Sequence, residues 1–304
     1  MKVTATEPHS VAPNRLRTQY ALLGILLIAP AVLVFLVIIA YPLVSAIYLS
    51  LFSIYTPTQK GHWVGLQNYI DLVSHKDFWG ALTNNFIWML GTLVLQIIFG
   101  IAAALLLNQN LLFRALARSL ILFPYFISTV VAVLIWRWLF NDLYGILNYA
   151  LVSMGVVRRP LDWLGQMPNA MISLILVGAW KYFPFVVITV LARLQTIPLQ
   201  LYEAARMDGA GPIARFFDIT LPQLRDVLLI VILLRSIWDF KEFDLIYLMT
   251  GGGPVTATQT LPLLVYKQAF GVNEMGQACA IAVAMMIVMF GFMLLYFRAM
   301  RRAD

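Results

Sequence analysis

Charge is what this sequence has least of. Lys, Arg, Asp and Glu make up 12% of its 304 residues, where soluble proteins carry about a quarter. That shortfall alone puts the chain in a membrane. The one cysteine, Cys279, lies inside an apolar run. It has no partner for an internal disulfide and is read as a small packing residue. The three histidines, His9, His62 and His75, all fall outside the long apolar runs, so there is no ligand set for a metal. No G-x-x-x-x-G-K-[ST] stretch is present to cradle ATP phosphates. No H-E-x-x-H, G-x-S-x-G or cysteine-pair motif marks a catalytic centre either. We therefore expect no catalysis, no metal and no cofactor in this chain. The net charge of +7 is assigned to basic residues flanking membrane spans rather than to nucleic-acid binding.

Apolar length, by contrast, is abundant. Hydrophobic residues make up 62% of the chain. Six runs have about the length a helical span needs: 21–41, 86–107, 119–140, 171–191, 227–249 and 276–297. The first is too long for a signal peptide and no small-residue cleavage site follows promptly, so it is read as a retained span. Pro30 and Pro42 are expected to kink or end it. Gly100 and Ala104, and the stripe Gly276, Ala280 and Ala284, offer small faces for close helix approach. With both termini inside, twelve basic residues fall on inner segments, from Lys2 to Arg302, against five on outer loops (Lys60, Lys76, Arg158, Arg159, Lys267). That bias orients the chain with residues 1–19 and 299–304 as cytoplasmic tails around one membrane domain, 20–298.

The most polar stretch of the second half, residues 203–222, reads EAARMDGAGPIARFFDITLP. Glu203 to Asp208 favours helix, Gly209 and Gly211 free the backbone, and Pro212 suits the first turn of a second helix. Pro222 opens the next apolar run, where its missing N–H costs little. The residues alone leave two readings open: an ordinary solvated connector, or a helical hairpin that offers charge to a soluble partner.

Glu203-Ala204-Ala205, then Gly209 after three intervening residues, then Ile219-Thr220-Leu221-Pro222 after nine more, resembles the EAA loop of ABC-importer permeases, with no departure in spacing. Asp208-Gly209-Ala210 resembles the carbohydrate branch of that family. The resemblance runs from about residue 20 to the end. It implies an all-α membrane protein of six transmembrane helices, with the type I importer permease (MetI-like) fold, in the bacterial inner membrane. It also implies partners: a second permease subunit in a heterodimer, two cytoplasmic ATPase subunits that bind ATP and Mg, an extracytoplasmic substrate-binding protein, and a sugar. The loop would dock on the ATPase through Glu203, Ala204, Ala205, Asp208 and Gly209. The segment Met249-Thr250-Gly251-Gly252-Gly253-Pro254 and the short tail after the sixth span are similar to the maltose F-type member of the pair.

Charges inside spans usually face a cavity or a partner helix. Arg137, near the outer end of the third span, is read as snorkelling. Lys181 lies in Trp180-Lys181-Tyr182-Phe183-Pro184-Phe185, and Arg235 precedes Trp238-Asp239-Phe240-Lys241-Glu242-Phe243-Asp244. At helical spacing Trp238, Lys241 and Glu242 share a face with Asp239 beside it. A structural ion-pair network and a water-filled, aromatic-lined pathway both fit these residues. The resemblance to maltose-type permeases implies a mid-membrane sugar site at Tyr125, Thr129, Gly178, Lys181, Tyr182, Phe185, Trp238, Asp239 and Lys241. Family positions are often neutral, so Lys181, Asp239 and Lys241 depart in chemistry. The two lysines suggest that the sugar carries an acidic group. The rival reading is a stand-alone secondary transporter using Asp239, Lys241, Glu242 and Asp244 as an ion relay.

Overall fold

The computed structural model describes residues 14–58, 60–109 and 112–301; residues 1–13 and 302–304 of the two expected tails lie outside them. The chain begins with α1 (Asn14–Phe35), a π-helical turn (Leu36–Ala40) and α2 (Tyr41–Leu49). Together they form one span, Leu22–Leu49, that buries almost nothing against the rest of the chain. The helix runs through Pro30 and does not end at Pro42. The π turn lies directly before α2, where Pro42 occupies a first-turn position. Widening the helix there removes the clash between a proline ring and the carbonyl four residues back. The same arrangement recurs at Pro222.

The segment 52–82, expected to lie outside, contains a short antiparallel hairpin, β1 (Phe52–Tyr55) and β2 (Lys60–Trp63). It departs from an all-helical reading, though the fold remains dominated by helices. Then come α3 (Gln67–Ser74) and the 32-residue α4 (Lys76–Leu107). The expected third span, 119–140, is not one straight helix. α5 (Arg114–Phe126) and α6 (Thr129–Leu139) meet at 97°. After α7 (Ile146–Ser153), α8 (Asn169–Leu194) crosses back. α9 (Leu199–Met207) and α10 (Pro212–Arg215) form the polar hairpin, and a π turn (Phe216–Thr220) leads into α11 (Leu221–Phe240). The expected fifth span, 227–249, is also broken: α11 stops at Phe240 and α12 (Asp244–Thr250) follows. α13 (Leu261–Tyr266) and a π turn (Lys267–Gly271) lead to α14 (Met275–Arg301).

Among the described residues four helices are long and apolar enough to cross a membrane, and the bent pair α5–α6 makes a fifth. α11 carries Arg225, Asp226, Arg235 and Asp239 and is the least apolar of the long helices.

α4 and α8 form the centre. Where the two cross, glycine lets large side chains in. A Cβ on Gly178 would lie 2.4 Å from the Trp88 ring, and one on Gly100 would lie 2.5 Å from Val186. The expected close approach at Gly100 and Ala104 is therefore present, with Ala104 buried against Val186 and Val187. Such contacts replace the hydrophobic driving force that lipid does not supply between helices. α11 packs against this pair and α5 against α8. On α14, Gly276 sits under the Phe52 carbonyl, where a Cβ would lie 1.9 Å from the oxygen.

Candidate translocation site

Both helix breaks lie beside one cavity. It has a volume of about 470 Å³ and is lined by Tyr125, Ile127, Ser128, Thr129, Lys181, Tyr182, Arg235, Trp238 and Glu242. Three helical elements build it: the α5–α6 bend, the middle of α8, and the end of α11. A bend frees backbone carbonyls, which in a membrane must find partners inside the protein. Here Lys181, 4% exposed, reaches across from α8, and its Nζ donates to the Ile127 carbonyl at 2.8 Å. A cation at the C-terminal end of α5 also complements the partial negative charge of that helix's dipole.

The end of α11 is held in the same way from α4. Trp88 Nε1 donates to the Asp239 carbonyl at 3.0 Å, and Asn85 Nδ2 donates to the Phe240 carbonyl at 3.0 Å. Arg235 and Asp239 form a buried ion pair. Gln96 serves both partners: its Oε1 accepts from Arg235 Nε at 2.7 Å and its Nε2 donates to Asp239 at 3.2 Å. A buried pair needs this completeness, because desolvation otherwise exceeds the attraction. The outer side of the Arg235 guanidinium faces aromatic rings, 4.5 Å from the Tyr182 centroid and 5.5 Å from that of Trp238. Tyr182 donates its hydroxyl to Glu242 at 3.0 Å. Glu242 in turn accepts from the Leu245 amide at 3.1 Å and so caps the start of α12.

Tyr125, Thr129, Lys181, Tyr182 and Trp238 thus come together on the cavity wall. Phe185 lies behind the wall, edge-on to Trp238 at 5.1 Å. Gly178 lies against Trp88 at the α4–α8 contact. Asp239 is buried behind Arg235. Lys241 is exposed in the turn after α11. The helical-spacing argument for Lys241 and Glu242 is corrected here: the helix ends at Phe240, so positions 241 and 242 do not continue its faces. The ion-pair network is likewise narrower than expected, being Arg235, Asp239 and Gln96. Arg235 and Glu242 line the cavity, which agrees with the pathway reading of these charges, although neither was among the expected sugar-site residues. Gln96 and Asn85 passed unnoticed, and a lone Gln in the apolar run 86–107 was the available signal. Arg137 is exposed and reaches the Leu248 carbonyl at 3.4 Å.

The cavity combines two tyrosines and a tryptophan with hydroxyl, ammonium and carboxylate groups. Aromatic faces suit the C–H face of a sugar ring, and the polar groups suit its hydroxyls.

The polar hairpin lies at the end of α8. α9 closes in a Schellman motif: Ala210 N donates to the Ala205 carbonyl at 2.8 Å and Gly209 N to the Arg206 carbonyl at 3.1 Å. Gly209 has φ of +80°, the left-handed value the motif requires. Tyr202 packs into the helix core and pairs with Thr220 across 3.0 Å, fixing α9 to the root of α11. Glu203, Ala204, Asp208 and Gly209 are exposed and Ala205 is half-buried. Met207 and Ile213 beside them are 88% and 75% exposed.

Residues 96–304 match the family model described as binding-protein-dependent transport system inner membrane component. The trehalose/maltose transport system permease protein MalF of Thermococcus litoralis is 34% identical over 95% of this chain and 97% of its own. The inner membrane ABC transporter permease protein YcjO of Escherichia coli is 36% identical over 90% and 92%. The sulfoquinovosyl glycerol transport system permease protein SmoG of Agrobacterium fabrum is 34% identical over 93% and 92%. A bacterial ABC transporter that imports the acidic polysaccharide alginate shares the fold, with a TM-score of 0.81 at 22% identity over 95% of this chain and 98% of that one. The chain belongs to the binding-protein-dependent transport system inner membrane components, the non-catalytic, multi-pass permease subunits of ABC importers.

Proposed function

We propose that this permease carries a sugar or sugar derivative inward, driven by ATP hydrolysis on separate subunits. The observation that carries the reading is the cavity at the two helix breaks, where aromatic rings and hydrogen-bonding groups converge from α5–α6, α8 and α11. Relatives whose names specify trehalose, maltose and sulfoquinovosyl glycerol support the substrate class. In this reading residues 20–298 form the membrane domain, with both tails cytoplasmic. A second permease subunit completes the pathway, and a binding protein delivers sugar to the outer loops. Substrate lies against Tyr125, Thr129, Tyr182 and Trp238, with Phe185 supporting Trp238. Gly178 and Asp239 shape the wall from behind, and Lys241, exposed in the turn after α11, is not part of the lining. Two ATPase subunits seat the hairpin through Glu203, Ala204, Ala205, Asp208 and Gly209. Their closure moves α9, and Tyr202 passes the motion to α11. Alternating exposure follows from rocking of the helices around the fixed cavity.

The ion-coupled rival is not favoured. A relay carboxylate must exchange partners, yet Asp239 is held by Arg235 and Gln96, and Glu242 by Tyr182 and the Leu245 amide. The test is uptake into liposomes holding the purified complex, with trehalose, maltose and an alginate oligosaccharide as probes. Uptake of at least one that needs internal ATP and survives collapse of the proton gradient supports the reading. Uptake that ignores ATP and stops with the gradient overturns it.

A further inference from the structure

The groove between α5 and α8 holds a second cavity. Its volume is about 240 Å³, and its walls are Leu107, Arg118, Leu122, Val187, Ile188, Leu191, Ala192 and Gln195. Its place follows from helix geometry. Arg118 is seven residues before Tyr125 on α5, and Ile188 is seven residues after Lys181 on α8. Tyr125 and Lys181 line the central cavity; Arg118 and Ile188 line the second one. Seven residues make nearly two whole turns, so each pair lies on one helix face about 10 Å apart. The two cavities are therefore stacked along one groove, with Leu122 between Arg118 and Tyr125. The second lies toward the hairpin end of α8.

Arg118 has a feature that packing does not explain. Its Nε is buried and has no hydrogen-bond partner. By contrast, Arg114, one turn earlier on the same helix, donates its Nε to the Leu107 carbonyl at 2.8 Å. A buried guanidinium N–H without an acceptor is costly; the side chain as a whole is half-buried and lines the cavity, and a guanidinium so placed suits an oxygen-bearing ligand. Gln195, at the end of α8, adds an amide to the same wall. The remaining walls are apolar, and Ile188, Ala192 and Gln195 are exposed, so the cavity opens along the groove.

We infer that Arg118 and Gln195 form an exit subsite, where the Arg118 guanidinium takes a hydroxyl or acidic oxygen of a sugar leaving the central cavity. The inference rests on the permease reading above, because it needs substrate to pass inward between α5 and α8. Arg118 would then lower the barrier of the release step without contributing to affinity at the central cavity.

The test compares the wild-type complex with Arg118→Gln, Arg118→Lys and Gln195→Leu in ATP-loaded liposomes, using whichever of the three sugar probes the wild type moves. Each is measured in phosphatidylcholine alone and with phosphatidylglycerol added. Arg118→Gln is expected to lower the maximal uptake rate about tenfold, with the half-saturating concentration changed by less than about twofold, in both lipids. Arg118→Lys, which keeps the charge, recovers most of the rate, and Gln195→Leu shows a smaller loss of the same kind. An unchanged maximal rate in Arg118→Gln overturns the subsite. So does a loss seen only with phosphatidylglycerol, which assigns the cavity to an anionic lipid headgroup. If Arg118→Gln assembles poorly, Gln195→Leu decides: a normal rate there overturns the proposal. Wild-type uptake that ignores ATP and stops with the proton gradient defeats the ATP-driven reading itself, a different result from a wild type that transports with ATP and a variant that matches it.

Discussion

Lys181 illustrates how a charge in a span can serve the backbone as well as a ligand. Its ammonium holds the Ile127 carbonyl and so fixes the bend that presents Tyr125 and Thr129. Lys181→Met is therefore expected to raise the half-saturating concentration roughly tenfold for neutral and acidic sugars alike. A loss confined to acidic sugars would instead place Lys181 directly on an anionic group. The structure also weakens the case for an acidic substrate built on two lysines, since Lys241 is exposed and Glu242 is on the cavity wall. Behind that wall, Asp239→Asn strands the Arg235 charge. It should destabilise the protein by about 3–5 kcal/mol, read as earlier thermal unfolding in detergent. The double change Arg235→Met with Asp239→Leu removes both charges and should cost much less. Equal losses in the two variants would mean that the pair does not matter as a pair. Sequence revealed the cavity's aromatic residues and its intramembrane charges. It did not reveal the neutral partner that completes the Arg235–Asp239 pair, because Gln96 lies 139 positions from Arg235.

Among the elements, the α9–α10 hairpin was the most legible in sequence. Its Gly-x-Gly-Pro bend carries its own local signal, and Gly209 sits where a Schellman motif needs a left-handed residue. Placing Val there costs about 1–2 kcal/mol of local strain and should reorient α9 while leaving the spans folded. Glu203→Lys reverses an exposed charge with no burial change. Both are expected to keep normal expression and detergent stability while losing most sugar-driven uptake. Full uptake in Glu203→Lys would remove that residue from coupling. The helix breaks were not legible in the same way. Ile127-Ser128 contains neither Gly nor Pro, and the break after Phe240 depends on Trp88 and Asn85 reaching over from α4. Hydrophobic runs of span length report burial in lipid, and a bent helix has the same composition as a straight one. Small-residue faces were legible as positions but not as contacts. Gly276 faces the Phe52 backbone, which cannot yield as a side chain would. Gly276→Ala should therefore displace the β1–β2 hairpin at the N-terminal end of α14 and lower thermal stability, whereas Ala substitution at the open Gly291 should be silent.

At the scale of the whole molecule, much apolar surface stays uncovered by the chain itself. The span Leu22–Leu49 buries almost nothing, and the hairpin leaves Met207 and Ile213 bare. Exposed apolar surface of this extent is expected to meet lipid, a second subunit or an ATPase. The account's central claim is that this permease works only as part of an ATP-driven assembly. The most direct measurement is purification of the tagged chain in mild detergent, followed by ATP hydrolysis in liposomes with and without a sugar-loaded binding protein. The account predicts that an ATPase and a second multi-span subunit co-purify, that hydrolysis rises with the loaded binding protein, and that Glu203→Lys abolishes the rise. A chain that purifies alone and still moves sugar without nucleotide would contradict it.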